Sequence, residues 1–106
     1  MGRGHPVALG PLQFSKKGDA AHHLTSMLNG YEVGDRVSAG DALILEAALL
    51  RHPEAEMKIG PGILSFSVRS ADFGTKCFWV NRVDGTSDDF SIDSCIYDKR
   101  ARVTKL

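Results

Sequence analysis

Asp84-Gly85 stands between two runs rich in aromatic and β-branched side chains, Lys76-Cys77-Phe78-Trp79-Val80-Asn81-Arg82-Val83 and Thr86 to Cys95. Asp-Gly in that setting is the strongest short-range signal for a tight β-hairpin. Gly85 can take a positive φ without the clash that a Cβ would bring, so the chain is expected to reverse there. A two-residue loop at Asp84-Gly85 would set Trp79 opposite Phe90 and Cys77 opposite Ile92. One face would then carry Cys77, Trp79, Val83, Phe90 and Ile92. The other would carry Phe78, Val80 and Arg82 against Ser91, Asp89 and Ser87, with Arg82 diagonal to Asp89 as a surface ion pair. A longer loop with a bulge would shift this register, and a slip of one residue would exchange the faces.

The rest of the chain reads as helices followed by strands. Val7, Leu9, Leu12 and Phe14 are interrupted by Gly10-Pro11, which suits a short, broken or edge strand because proline has no N–H for a ladder. Ala20, Leu24, Met27 and Leu28 recur at helical spacing after Ser15, an N-cap candidate, and Asn29-Gly30 predicts a left-handed C-cap. After the link 31–37, Ser38 and Asp41 stand in a capping-box arrangement and open a second helix. Leu43, Leu45, Ala47, Ala48, Leu49 and Leu50 make it apolar around most of its girth, and His52-Pro53 ends it. Gly60-Pro61-Gly62 predicts a loop that delivers the chain to the next strand, ligand binding being the alternative. There Leu64, Phe66 and Val68 alternate with Ser65, Ser67 and Arg69, so one face is wet; 70–75 forms the next turn.

These elements predict an α+β domain: an antiparallel sheet of three to four strands packed against two helices, in a single domain of 1–106. Its core is expected over 9–96, with 98–106 as a basic, flexible tail holding Lys99, Arg100, Arg102 and Lys105 against Asp98. At 106 residues the chain is long enough to bury roughly two thirds of its unfolded surface around one core. Thirteen basic side chains balance thirteen acidic ones, so the basic excess usual in duplex-DNA wrapping proteins is missing. With no long apolar stretch, no membrane span is expected. Neither a signal nor a transit peptide is read at the start, and the expectation is a bacterial cytoplasmic protein with Cys77 and Cys95 as reduced structural thiols.

No catalytic constellation emerges. His5, His22, His23 and His52 lack a partner at ligand spacing, and adjacent residues point about 100° apart on a helix. Asp88 and Asp89 would face opposite ways on a strand, Ser15 and Ser38 are explained by capping, and no acidic grouping fits a nuclease metal. Lys58, Arg69, Lys76, Phe78 and Arg82 remain as a candidate nucleic-acid-binding face, because aromatic rings interleaved with cations can stack single-stranded bases and hold phosphates. Against this stands the need for Phe78 and Trp79 in the core of so small a domain.

Several blocks, in order, carry a resemblance. These are Leu9-Gly10-Pro11-Leu12, Met27-Leu28-Asn29, His52-Pro53, Lys58-Ile59-Gly60, Cys77-Phe78-Trp79-Val80, Asp84-Gly85-Thr86 and Asp89-Phe90-Ser91. Together they resemble the DCL (defective chloroplasts and leaves) family, from about Leu9 to Cys95. The resemblance implies an RNA context: plant members act in maturation of plastid ribosomal RNA, and a similar domain ends the largest subunit of a plant RNA polymerase. It transfers no catalytic residue. The expectation is therefore a non-enzymatic, monomeric RNA-binding accessory domain in ribosomal RNA processing or ribosome maturation, without cofactor, contacting single-stranded or structured RNA. The alternative is a protein-interaction module that docks on a larger RNA-handling complex through an apolar patch or a free strand edge.

Overall fold

A computed structural model of the chain describes residues 6–71 and 74–97. Their order is β1 (Val7–Leu9), β2 (Leu12–Phe14), α1 (Lys17–Asn29), α2 (Ala39–Leu49), α3 (Ala55–Ile59), β3 (Ile63–Ser70), β4 (Lys76–Arg82), β5 (Ser87–Phe90) and α4 (Ile92–Ile96). The architecture is α+β. An antiparallel three-stranded sheet in the order β3-β4-β5 is accompanied by a separate two-stranded hairpin of β1 and β2. His5, residues 72–73 of the predicted 70–75 turn and the basic run 98–106 lie outside the described residues.

The broken strand expected at the N-terminus is this separate hairpin. Gly10-Pro11 is its turn, with Leu9 opposite Leu12, and Val7 and Leu9 are buried beside α1 and α2 rather than in the main sheet. α1 starts two residues after Ser15: Lys16 occupies the N-cap without a side-chain bond, so Ser15 does not cap it. Nor is its C-cap left-handed, because Gly30 sits at φ −81° and its N–H closes onto helix carbonyls in the ordinary way.

Ser38 caps α2 as predicted, its Oγ accepting the Asp41 N–H at 3.2 Å. The reciprocal half of the box is supplied by Tyr31. Its hydroxyl accepts the Ser38 N–H at 3.0 Å and donates to Asp41 Oδ2 at 2.7 Å, because the aspartate is one methylene shorter than the usual Glu. α2 buries Ile44, Leu45, Ala48 and Leu49 but leaves Leu43 and Leu50 exposed, so it packs by one stripe rather than all round. Two short helices fall where a loop and a strand end are expected. α3 forms after Pro53, and Ser91 caps α4 by accepting the Ser94 N–H at 3.2 Å, taking Ile92 out of the hairpin.

The β4–β5 register is one residue from the two-residue-loop expectation: Phe78 pairs with Phe90, Trp79 with Asp89, Val80 with Asp88 and Asn81 with Ser87. Arg82 N–H donates to the Thr86 carbonyl at 2.8 Å, and Gly85 N–H to the Arg82 carbonyl at 3.0 Å. The loop is therefore Val83-Asp84-Gly85, with Gly85 at φ +92° as the left-handed step of a three-residue turn. Asp84 selects it. Its Oδ1 accepts both the Thr86 N–H at 3.0 Å and the Thr86 hydroxyl at 2.6 Å, whereas a two-residue loop would pair that N–H with Val83.

The consequence is the exchange of faces. Phe78, Val80 and Phe90 point inward with exposures of 0%, 0% and 5%, while Val83 is 56% exposed. Phe90 meets Phe66 edge-on at 5.9 Å and stacks on Phe78 at 6.1 Å. The same layer takes Val68, Ala20, Leu24, Val37, Cys95 and Ile96. Leu64 departs from its strand's alternation and is 65% exposed, because the β3–β4 register shifts between Ile63 and Ser65.

Candidate functional site

Two groups of polar side chains flank β4, one at its C-terminal end and one on its outer face. The first is built by α3, a helix of five residues whose last carbonyls have no helical partner. Arg82 Nε donates to the Lys58 carbonyl at 2.8 Å and Nη2 to the Met57 carbonyl at 3.3 Å, so a strand side chain closes the helix. Gly60, at φ +56° and ψ −131°, lets this happen: a Cβ there would stand 3.0 Å from Arg82 Cδ. The Gly60-Pro61-Gly62 loop is thus a connector shaped around Arg82.

Asp88 lies between two cations, its Oδ2 3.2 Å from Lys58 Nζ and 3.4 Å from Arg82 Nη2. The ion pair of Arg82 is with Asp88 and not with Asp89, because the register turns Asp89 to the other face. Burial opposes the charge on Asp88, but the hydrogen bond and charge of Lys58, the Asp89 N–H and Arg82 outweigh it and hold the carboxyl below its ordinary value. Only 14% of the Lys58 side chain and 13% of that of Arg82 are accessible. These two cations face inward.

The second group is on the open face of the sheet. Ser65, Ser67 and Arg69 of β3 lie beside Cys77, Trp79 and Asn81 of β4. The Arg69 guanidinium carbon is 4.7 Å from the Trp79 ring centroid, a cation–π contact. Arg69 Nη2 donates to Asn81 Oδ1 at 2.6 Å and Nε to Ser67 Oγ at 3.3 Å. Asn81 in turn donates to Ser65 and Ser67 Oγ at 3.2 Å each. Beside this network runs a groove of about 570 Å³ lined by Val33, Arg36, Leu64 and Arg69 among others. Its wall is the 33–37 segment, which closes the edge of β3 through Gly34 N–H to the Val68 carbonyl at 2.8 Å and the Arg36–Ser67 bridge.

Cys77 shares this face. Burial and then the Asp89 carboxylate push its thiol up, so it is a poor nucleophile. The Trp79 indole N–H is buried without a well-formed hydrogen bond among the described residues, yet its approach to the Cys77 sulfur offsets part of the rise there. No group of three or more His, Cys, Asp or Glu side chains that could hold a metal occurs among the described residues.

The five predicted contacts are therefore dispersed. Phe78 is corrected to a core residue, fully buried under the helices because even-numbered positions of β4 face inward. Lys58 and Arg82 meet at the α3 corner, and Lys76 donates to the Tyr31 carbonyl at the end of α1. Arg69 alone stands on the open face, with Trp79, Asn81 and Arg36, which sequence reasoning does not assign to a site. The signal for Trp79 was present: Ser65, Ser67 and Arg69 mark a wet face on β3, and Asn81 is the polar residue of β4 that shares a parity with Trp79.

A family described as "Protein of unknown function (DUF3223)" matches residues 25–96. The chain is 33% identical over 98 residues to DNA-directed RNA polymerase IV subunit 1 of Arabidopsis thaliana, covering 90% of this chain and 7% of that protein. It is 32% identical over 93 residues to Protein EMBRYO DEFECTIVE 514 of the same plant, covering 86% and 46%. Against Protein DCL, chloroplastic, of Solanum lycopersicum it is 41% identical over 69 residues, covering 62% and 31%. The chain thus spans less than half the length of these curated relatives. The solution NMR structure of an uncharacterized protein from Rhodospirillum rubrum superposes with a TM-score of 0.82 at 46% identity, over 91% of this chain and 92% of that one.

Proposed function

The chain belongs to the DUF3223 family, which includes the DCL proteins, and from that membership we propose that it is a non-enzymatic module that binds unpaired RNA on the open face of its three-stranded sheet. The observation that carries this reading is Arg69 held over Trp79 by Asn81 and Ser67. An aromatic ring and a guanidinium, on a face against which no helix packs among the described residues, offer planes on which bases stack, each worth about 1 to 3 kcal/mol. Arg36, exposed beside the same groove, supplies a cation for phosphate. Likeness to a segment of an RNA polymerase subunit supports an RNA-handling context, and work on ribosomal RNA in a bacterial cytoplasm remains part of the proposal. No helix among the described residues is long and apolar enough to cross a membrane.

Trp79 is the sole tryptophan of the chain, so its fluorescence reports directly on the face. Titration with single-stranded RNA is expected to quench it, with an affinity that falls as salt rises. Unchanged emission and no salt-dependent anisotropy at low ionic strength would refute the reading. A second reading, docking on a protein, is favoured by Val33 and Leu64, which are 57% and 65% exposed at the rim of the same groove. Substituting both with serine should leave RNA affinity unchanged if the first reading holds.

A further inference from the structure

The hydrogen-bonding groups around Trp79 are sorted by side. On the β3 side, Arg69 uses Nε and one N–H of Nη2 within the sheet, which leaves three of the five guanidinium donors for a ligand. Asn81 donates to both Ser65 Oγ and Ser67 Oγ, so those hydroxyls accept within the network and keep their protons to donate elsewhere. On the β5 side, Asp89 stands directly opposite Trp79. The Arg82–Thr86 backbone bond sets the alternation of the ladder and makes Trp79–Asp89 a non-hydrogen-bonded pair, in which side chains lie closest. Asp89 is exposed, its carboxylate offers acceptors alone, and as the register partner of Trp79 it lies on the same face as the ring. Donors, an aromatic ring and acceptors therefore follow one another from β3 to β5. Those strands are about 10 Å apart, since each neighbours β4 at about 4.8 Å.

Guanine is the RNA base with two adjacent acceptors, O6 and N7, on one edge and two adjacent donors, N1–H and the N2 amino group, on the next. Adenine would turn its N6 donor toward the guanidinium, and uracil brings one N–H to the carboxylate. The Arg69 guanidinium carbon lies 4.7 Å from the ring centroid, so the base is placed beside the guanidinium on the indole rather than on top of it, with its edge toward the free donors. We propose that this face selects guanine among unpaired bases, with Arg69 donating to O6 and N7 and Asp89 accepting from N1–H and the N2 amino group. This rests on the RNA-binding reading above and adds a base preference to it.

The test uses uridine decamers carrying one central guanosine, adenosine, 7-deazaguanosine, which lacks N7, or inosine, which lacks the N2 amino group, titrated by anisotropy against the whole chain at fixed low salt. The guanosine decamer should bind about tenfold more tightly than the adenosine one, the scale of one good bidentate contact. Both analogues should fall between them. Arg69→Gln should remove the difference between guanosine and 7-deazaguanosine, and Asp89→Asn that between guanosine and inosine, with circular dichroism unchanged in each. Equal affinity for the guanosine and adenosine decamers would overturn the base preference while leaving RNA binding intact. Failure of every decamer to bind would overturn both readings. Base preferences unaltered by Arg69→Gln and Asp89→Asn would remove these two residues from the assignment.

Discussion

Lys58 places its ammonium 3.2 Å from Asp88 Oδ2 and 2.8 Å from the Asp89 carbonyl, so one side chain of α3 both neutralises a carboxylate and closes the outer edge of β5. Asp89 belongs to a non-hydrogen-bonded pair, and its N–H and C=O point away from β4. Lys58 takes the carbonyl, and Asp88 Oδ1 takes the N–H at 2.9 Å. An open edge of this kind invites pairing with another chain. Lys58→Ala is expected to lower stability by about 1 to 2 kcal/mol in urea unfolding, from a lost charge-assisted bond and a partly uncompensated Asp88. A midpoint equal to that of the wild type would show that the corner is not held by Lys58.

Asp88 makes this corner pH-dependent. Its folded pKa lies below the ordinary 3.8, so its contribution is complete above that value and is lost as the pH falls through the lower, folded one. The carboxyl is 40% exposed, and solvent screening keeps the effect well under that of a buried pair. Urea midpoints between pH 5 and pH 3 should fall more steeply for the wild type than for Asp88→Asn. Parallel slopes would contradict the pairing.

Adjacent residues of β4 should respond oppositely to truncation. Phe78→Ala opens a cavity against Val68, Phe90 and the rest of the buried layer and is expected to cost about 3 to 5 kcal/mol. Trp79→Ala forfeits the Arg69 contact and part of a half-buried ring, about 1 to 2 kcal/mol. Equilibrium unfolding followed by circular dichroism ranks the two, and a larger loss at Trp79 would reverse the assignment of faces.

Gly60→Ala forces a non-glycine residue into φ +56°, ψ −131° and brings its Cβ to 3.0 Å from Arg82 Cδ. The expected loss is about 2 kcal/mol or more. Arg82→Ala removes the neighbour but not the backbone strain, so the double variant should be less destabilised than the sum of the singles, by about 0.5 kcal/mol or more. Strict additivity in a double-mutant cycle would mean that the close approach is of no energetic consequence.

Tyr31→Phe removes the hydroxyl that serves both Ser38 N–H and Asp41 Oδ2. A loss of about 1 kcal/mol is expected, with faster amide exchange confined to the first turn of α2. Protection that is unchanged there would assign the cap to Ser38 alone.

Elements were more legible than their partners. The three-and-four spacing of Ala20, Leu24, Met27 and Leu28 locates α1, and alternation from Ser65 to Arg69 locates β3, because both periodicities are properties of the local backbone. Ser38 and Asp41 mark the start of α2, yet the hydroxyl that completes the cap comes from Tyr31, outside the motif. Of the open face, Arg69 was legible from its place on a wet strand face. Lys58 and Arg82 carried the same signal of free cations, but both are drawn inward by Asp88, which lies 30 residues from Lys58 along the chain and which only the shifted hairpin register, in place of Asp89, brings to Arg82.

By itself the amino-acid order determined that this chain would be α+β, that its second helix would start after Ser38 and that it would reverse direction at Gly85. Spacing and turn chemistry act over a few residues and need no knowledge of the rest. Tertiary structure decided which side of the hairpin would be wet. The side chain of Asp84 captures Thr86, the loop gains a residue, and every side chain of β4 changes face relative to β5. A period of two states that neighbours differ; only the layer of helices against Phe66, Phe78 and Phe90 says which of them is inside.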